Sequence, residues 1–300
     1  MKSIVSYPER GGYGNNRYRG NCSGRLIEDI ISQYRLQDSG LSDFMVGGGT
    51  TEDVVRRLGL RGDFADLNRG YDMLSQDIPS RAENIFWHPP YHDMITYSGV
   101  QYDDKSIIEK YGFDPKINDL SRCTSWEDFV KAMNYCCLKQ FAALEKGGRM
   151  FVLMGDMKRK GKLFSMLADI CKPGLLEQII IKAQHNCWSD GVTYSNNNFV
   201  PIVHEYLMVV KKEDSLYIPV SYSVRKTLDI RDSQTASWRD VLYAVLEKSG
   251  CAMSLESLYQ EMDGKKKTLS NPHWKEKIRQ TMQNEKYFIR VSKGCYTLAK

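Results

Sequence analysis

A regular alternation of helix-like and strand-like segments between about residues 24 and 212 restricts the fold more than any other feature of the chain. Residues 25–34 carry apolar side chains at helical spacing, whereas 42–46 and 60–67 are short apolar runs of the kind found in strands. Parallel strands need a crossover connection, usually a helix, so this alternation indicates a mostly parallel sheet. The sequence therefore predicts an α/β fold.

Other segments extend the same pattern. Residues 124–146 form the clearest predicted helix, with Thr124 and Glu127 as a capping box and Gly147 as its stop. The remaining predicted elements of this region are strands at 84–87, 150–154, 178–182 and 202–210 and a helix at 162–170.

The pattern changes after residue 212. Residues 213–235 are polar and show no clear period, so we interpret them as a linker. Residues 236–300 contain three helical patterns followed by two short strands around a Lys-Gly turn, which is typical of a winged helix. We predict a large domain at 1–212, a linker at 213–235 and a winged-helix-like domain at 236–300.

The net charge of +5 lies entirely in this C-terminal segment. Residues 236–300 carry 12 basic and 7 acidic side chains, which leaves 30 of each for residues 1–235. Such an excess favours contact with a polyanion, and a solvated surface is an equally good interpretation. The third predicted helix places Lys275, Lys277 and Arg279 as candidate DNA-binding residues, with protein interaction as the alternative role of such a domain.

Composition excludes several other classes of protein. No apolar stretch is long enough to cross a bilayer, and the first residues lack the apolar core of a signal peptide, so we expect a cytoplasmic protein without a membrane partner. None of the eight cysteines is spaced as Cys-x-x-Cys, which favours reduced, mostly buried thiols over a zinc site or a disulfide framework. We predict no metal site.

A glycine-rich turn is the first motif that points to chemistry. The predicted strand that contains Asp43 runs into Gly47, Gly48 and Gly49, and Thr50 follows at the start of a helix. Glycines at this point let the backbone approach a ligand, and the helix N-terminus offers free N–H groups. By itself such a turn also fits a plain connection between two elements.

Two further motifs stand at the ends of predicted strands. Asp66 ends the next strand, where a carboxylate can accept hydrogen bonds from both ribose hydroxyls of a nucleoside, or else cap a turn. The sequence His88-Pro89-Pro90-Tyr91 follows the strand at 84–87. Two prolines give a rigid, extended turn whose carbonyls are free to accept from an amino group, and Tyr91 can stack on a base, although such a turn can also merely stiffen a loop.

Together and in this order, the motifs resemble those of the DNA amino-methyltransferases, which methylate adenine N6 or cytosine N4. Residues 43–51 are similar to the family's glycine loop, Asp-Pro-Phe-x-Gly-x-Gly-Thr-Thr. Residues 66–68 are similar to the end of its next strand, Asp-Leu/Ile-Asn. Residues 88–91 are similar to its catalytic motif, Asp/Asn/Ser-Pro-Pro-aromatic. Residues 204–212 resemble its late His-Glu-x-hydrophobic-Lys strand, and 19–24 resemble the segment that holds the methionine part of its cofactor. The resemblance covers roughly residues 17–212.

The resemblance implies a Rossmann-like class I methyltransferase sheet, S-adenosylmethionine as the cofactor, and direct transfer of its methyl group to an amino nitrogen of a flipped base. The catalytic residues that it implies are His88, Pro89, Pro90 and Tyr91, the last as a stacking face. The cofactor-binding residues that it implies are Asn21, Ser23, Asp43, Gly47, Gly49, Thr50, Asp66 and Asp72, the last of which fits an ordinary surface position equally well.

Two positions depart from the family pattern. Phe44 replaces a proline, and His88 replaces Asp, Asn or Ser at the catalytic motif. A neutral histidine can accept a hydrogen bond from an amino group through a ring nitrogen, whereas a charged one can only donate. Activity is therefore still expected, with adenine N6 favoured over cytosine N4, although the family's usual rule for the base does not apply.

Several alternatives stay open at this point. The chain could methylate RNA or a protein glutamine amide, or it could be a DNA-binding subunit with a decayed catalytic site. Duplex DNA is the expected partner, while a restriction or phage-defence partner and homodimer formation are open. The loops at 92–124 and 185–201 are the candidates for base recognition.

Overall fold

The computed structural model describes residues 1–185 and 199–299, which form two compact units at 1–223 and 224–300. The boundary between the units falls inside the segment predicted as a linker. No helix within the described ranges is long and apolar enough to cross a membrane.

The first unit is built on a mixed sheet. The strands of this unit are β1 (Ile4–Ser6), β2 (Ala82–Trp87), β3 (Leu144–Met154), β4 (Met157–Arg159), β5 (Lys162–Phe164), β6 (Lys172–Pro173), β7 (Leu175–Ala183), β8 (His204–Lys211) and β9 (Val220–Ser221). The unit also contains two small two-stranded sheets, β4-β5 and β6-β9. The main sheet has the order β1-β7-β8-β3-β2. β8 runs antiparallel to both neighbours, and the other four strands share one direction.

Two extended segments continue the sheet beyond β2. Ser42 bridges Ile85 and Asp43 bridges Phe64, both in parallel orientation. The strands predicted at 42–46 and 60–67 are therefore present as extended backbone with single bridges and not as regular strands. They still bring the glycine turn to the same edge as the end of β2.

Helices cover both faces of the sheet: α1 (Gly24–Gln33), α2 (Thr50–Arg57), α3 (Asp104–Tyr111), α4 (Trp126–Ala143) and α5 (Met166–Asp169). Neighbouring strand residues point to opposite faces. Phe86 and Phe151 accordingly belong to a core with the apolar faces of α1 and α2, whereas Ile85 and Val152 belong to a second core with α4. These three layers confirm the predicted α/β, Rossmann-like fold.

Two helix predictions need correction. α4 begins at Trp126 with Ser125 as its N-cap, so Thr124 and Glu127 do not form the capping box, and Gly147 lies inside β3. The helix predicted at 162–170 is wrong, because β5 pairs with β4 across a tight turn at Lys160 and Gly161, whose φ angles are 48° and 76°. Only the short α5 follows.

The second unit has its own sheet and core. Its elements are α6 (Trp238–Ser249), β10 (Met253–Ser254), α7 (Leu255–Met262), α8 (Lys266–Leu269), α9 (Trp274–Met282), β11 (Phe288–Ser292) and β12 (Cys295–Leu298). The strands pair antiparallel in the order β10-β12-β11. The three predicted long helices and the final hairpin are present, and α8 and β10 are additions. The winged-helix interpretation stays a prediction.

Candidate active site

A cavity lies where the parallel segments of the first unit end. It encloses about 840 Å³, counting the space open to solvent. The predicted site residues that line it are Asn21, Asp43, Gly47, Thr50, Asp66, Asp72, His88 and Pro90. Ligands of open α/β sheets usually bind at the carboxyl ends of the strands, which is the position of this cavity. The glycine turn at 47–49 and the Pro-Pro corner, which we define as residues 88–91, thus border the same cavity.

Four predicted site residues lie outside the cavity lining. Ser23 caps α1, its hydroxyl accepting from the backbone N–H of Arg25 at 3.3 Å. Gly49 is the N-cap of α2 with φ at 86°. Pro89 is buried directly after β2, and Tyr91 points away toward β8.

The glycine turn is packed against the segment before α1. A Cβ atom on Gly48 would lie 2.5 Å from Asn21 Oδ1, and one on Gly47 would lie 2.9 Å from the ring of Tyr18. The backbone N–H of Asn15 donates to the Gly48 carbonyl at 2.7 Å. Residues 14–21 therefore form a strap across the turn, and the small size of the glycines is needed for this contact.

Asp43 holds the turn from within the core. Its carboxylate accepts from the Thr51 hydroxyl at 2.7 Å and from the Met45 N–H at 3.0 Å. Burial raises the pKa of Asp43 to about 7, although both hydrogen bonds lower it. The residue thus orders the turn in addition to bordering the cavity.

Asp66 connects the second strand end to the same turn. Its two oxygens accept from the backbone N–H groups of Gly47, at 2.8 Å, and Asn68, at 2.9 Å. Burial raises the pKa of Asp66 above its ordinary value, and these hydrogen bonds oppose the shift. Because a carboxylate oxygen has two lone pairs, each oxygen keeps an acceptor position for a ligand hydroxyl.

Asp72 is already occupied by protein donors. It accepts from the Leu74 N–H at 2.9 Å and from Ser75 Oγ and Asn118 Nδ2 at 2.5 Å each. Its main role is to join two loops at the cavity wall, where Asn118 itself lines the cavity.

Four tyrosines that sequence reasoning missed also line the cavity: Tyr18, Tyr71, Tyr97 and Tyr102. The ring centroids of Tyr18 and Tyr97 are 5.7 Å apart. The hydroxyls of Tyr102 and Thr50 are buried and have no hydrogen-bond partner among the described residues. Buried polar atoms are normally paired, so these two orphaned hydroxyls fit a cavity that takes a polar ligand. Tyr97 and Tyr102 lie in the loop at 92–124 that the sequence marked for base recognition, whereas nothing in the sequence had singled out Tyr18 or Tyr71.

The Pro-Pro corner contains a chain of buried polar groups. His88 Nε2 lies 3.0 Å from the Tyr91 hydroxyl, which donates to Glu205 Oε1 at 2.7 Å. Lys182 donates to Glu205 Oε2 at 2.6 Å. The ring of Tyr91 packs on Gly155, where a Cβ would approach it to 2.8 Å. The Tyr91 hydroxyl is tied to β8 and Tyr91 is not among the residues that line the cavity, and its role as a stacking face stays a prediction.

His88 is uncharged at physiological pH. Burial lowers the pKa of His88 to about 4, and the positive charge of Lys182 acts in the same direction while Glu205 opposes it. A neutral imidazole has one acceptor nitrogen. The side chain at the position normally held by Asp, Asn or Ser can therefore still accept a hydrogen bond.

The predicted DNA-binding residues, Lys275, Lys277 and Arg279, are exposed positions of α9, whose buried side chains are Ile278 and Met282. Lys275 lies over the ring of Trp274, Lys277 contacts Gln280, and Arg279 pairs with Glu276 at 2.8 Å. Their contact with phosphates stays a prediction.

The structure describes all of one predicted recognition loop and only part of the other. The loop at 92–124 contains α3 and contributes Tyr97, Tyr102 and Asn118 to the cavity. Most of the loop at 185–201 lies outside the described residues. Within 1–185 and 199–299, no group of three or more His, Cys, Asp or Glu side chains is placed to hold a metal ion.

No model of a known protein family matches the sequence, and no curated protein matches it. Solved structures with some similarity include a protein described as a DNA modification methylase and the protein TrmN, both from Thermus thermophilus, and the M protein of the type I restriction enzyme EcoKI. They are 16%, 13% and 13% identical over 64%, 65% and 63% of this chain, with TM-scores of 0.28, 0.27 and 0.27.

The chain spans 57%, 50% and 43% of these three proteins. At TM-scores this low the likeness carries no weight for the reaction, which is argued below from the cavity.

Proposed function

We propose that the chain transfers a methyl group from S-adenosylmethionine to the exocyclic amino group of a base in duplex DNA, with adenine N6 favoured over cytosine N4. The observation that carries this proposal is that a single cavity is bordered by the glycine turn, by Asp66 and by His88. A nucleoside cofactor and a planar amino substrate can therefore occupy adjoining parts of one space, which is the main requirement of a direct transfer.

The residues of the cavity fit the cofactor. Asp66 retains acceptor positions for ribose hydroxyls, and Gly47 lines the cavity, where a ligand can contact its backbone. The orphaned hydroxyls of Thr50 and Tyr102 supply further polar contacts. When bound, S-adenosylmethionine supplies an electrophilic methyl group on a sulfonium, so no metal is required of the protein.

The corner residues hold the amino group that is methylated. The lone pair of an exocyclic amino nitrogen is delocalised into the ring of the base. A hydrogen bond from that amino group to neutral His88, which borders the cavity, favours a more pyramidal and more nucleophilic nitrogen. A base in duplex DNA must leave the stack to reach this cavity, where the lining tyrosines, among them Tyr18, Tyr97 and Tyr102, offer rings on which it can stack.

The second unit supports a DNA substrate. We propose that it is a winged-helix-like module and that α9 contacts phosphates through its exposed residues Lys275, Lys277 and Arg279. A restriction or phage-defence partner and a homodimer remain compatible with this arrangement.

Nucleoside mass spectrometry tests the proposed reaction. Duplex DNA, single-stranded RNA and a protein mixture are each incubated with the purified chain and isotopically labelled S-adenosylmethionine, then hydrolysed and analysed. We expect labelled N6-methyladenine from DNA, and labelled N4-methylcytosine would change the favoured base. Label in RNA or in glutamine would replace DNA as the substrate. Cofactor binding without transfer to any acceptor would refute the enzymatic proposal and favour a decayed subunit.

A further inference from the structure

We propose that Tyr91, held by the buried Glu205–Lys182 pair, is a positioning residue that keeps His88 in its Nε2–H tautomer and so presents Nδ1 as the acceptor for the substrate amino group. The inference rests on the proposed function for the identity of the substrate. The tautomer itself is a property of the folded chain and can be measured without any reaction.

The ion pair beneath the corner is the first step of the argument. Lys182 on β7 and Glu205 on β8 are direct cross-strand neighbours, and both side chains are about nine-tenths buried or more. Replacing a buried ion pair by apolar residues of similar volume is often neutral or stabilising. A role in stability alone therefore does not account for this pair, and a role in ordering its neighbours does.

The second step is the state of Glu205. Burial would raise the pKa of Glu205, but the charge of Lys182 and the hydrogen bonds to the carboxylate lower it below its ordinary value. The carboxylate is therefore ionised and can only accept. Burial and the same carboxylate raise the pKa of Tyr91 well above 10, so the phenol keeps its proton.

The third step follows from counting protons. Tyr91 has one hydroxyl proton, and Glu205 Oε1 at 2.7 Å must receive it, since two oxygens with no proton between them would repel at that distance. The Tyr91 oxygen can then only accept from His88 Nε2 at 3.0 Å, so the proton of the neutral imidazole is on Nε2.

The remaining nitrogen is the functional one. With the proton on Nε2, Nδ1 carries a lone pair, and it has no hydrogen-bond partner among the described residues. The His88 side chain borders the cavity and is 15% exposed. Nδ1 therefore replaces the side-chain oxygen of Asp, Asn or Ser at this corner, but only while Tyr91 selects the tautomer.

The ¹⁵N resonances of the imidazole report the tautomer directly, because a protonated ring nitrogen resonates far upfield of an unprotonated one. The chain is labelled at its histidines, and His88 is assigned by comparison with His88→Asn. We expect a protonated Nε2 and an unprotonated Nδ1 at pH 7.5. An unprotonated Nε2, or an imidazolium, in the wild-type chain would overturn the proposal.

Two nearly isosteric variants test the origin of the tautomer. Tyr91→Phe removes the acceptor for Nε2–H, and Glu205→Gln allows Tyr91 to donate to Nε2 instead. We expect both to shift His88 toward the Nδ1–H form and to lower kcat for methyl transfer about tenfold or more, with KM for the cofactor unchanged. Glu177→Gln is the matched control, since Glu177 is on β7 and pairs with Arg149 away from the corner.

A double variant separates positioning from simple destabilisation. If Tyr91 and Glu205 act on His88 through the same series of hydrogen bonds, the kcat of the double variant Tyr91→Phe with Glu205→Gln is no lower than that of the slower single variant. Additive losses, or wild-type ¹⁵N shifts in both single variants, would refute the proposal. A chain that methylates nothing but shows the Nε2–H form would refute the proposed function and leave the tautomer assignment standing.

Discussion

Gly48→Ala tests whether the strap at 14–21 must lie against the glycine turn for the cofactor to bind. The new Cβ would stand 2.5 Å from Asn21 Oδ1 and 2.9 Å from Tyr18 Cβ. Gly48 does not have a positive φ, so the cost comes from this overlap and not from backbone strain. The Asn21 amide can turn aside, but Tyr18 Cβ is attached to the backbone and can move only with the strap.

The expected cost is that of overpacking, about 1–3 kcal/mol. If the strap stays in place, the cost lowers the unfolding free energy of the first unit and its Tm falls by roughly 2–4 °C per kcal/mol. If the strap moves, the same free energy appears as weaker binding of S-adenosylmethionine, by about 5- to 150-fold. The loss of unfolding free energy and the loss of binding free energy should together equal the free-energy cost of overpacking.

Isothermal titration calorimetry with S-adenosylmethionine and a thermal melt measure the two losses on the same preparation. Gly12→Ala is the matched control, because Gly12 is in the same N-terminal region and a Cβ there meets nothing within 4 Å. Wild-type affinity together with wild-type Tm in Gly48→Ala would refute the packing argument.

The remaining predictions concern charge and protonation. His88→Ala should abolish methyl transfer while leaving cofactor affinity within about twofold, as measured by calorimetry and nucleoside mass spectrometry; an active variant would contradict its assigned contact. Burial lowers the pKa of His88 from 6.5 to about 4, so the folded chain resists protonation that the unfolded chain accepts. Wild type should therefore lose unfolding free energy relative to His88→Ala as pH falls from 6.5 toward 4, and pH-dependent melts of the two proteins should diverge over this range. The pKa of Asp43 is raised to about 7, so wild type loses stability relative to Asp43→Asn as pH rises from about 4 through 7, by up to about 4 kcal/mol; a parallel pair of curves would disprove the shift. Changing Lys275, Lys277 and Arg279 to alanine should reduce the slope of log affinity for duplex DNA against log salt by roughly 3 in binding titrations, with cofactor affinity unchanged; an unaltered slope would favour a protein-binding role for the second unit.

Local patterns predicted most of the elements, because they depend on neighbours in sequence. The helical spacing of 25–34 and the apolar run at 84–87 correspond closely to α1 and β2, and 255–262 corresponds to α7. The helix predicted at 162–170 failed because β5 is stabilised by pairing with β4. Such cross-strand pairing overrides a short helical pattern.

In the candidate site, too, local sequence predicted some features and the tertiary structure decided others. His88, Asp66 and the glycine turn were found because each stands where a strand ends, and parallel strand ends meet at one edge of a sheet. The sequence could not show that Tyr91 turns away toward β8 or that Glu205 and Lys182 lie beneath it, since these groups are 91 to 114 positions apart along the chain.

By itself, the sequence determined the α/β architecture and the set of motifs at the sheet edge, because hydrophobic period and turn residues act over a few positions. Only the tertiary structure decided what each side chain faces. It placed four tyrosines around the cavity and buried an ion pair next to His88. Burial and the direction of a hydrogen bond depend on residues brought together by the sheet, so the protonation and tautomer of a single histidine are properties of the folded chain.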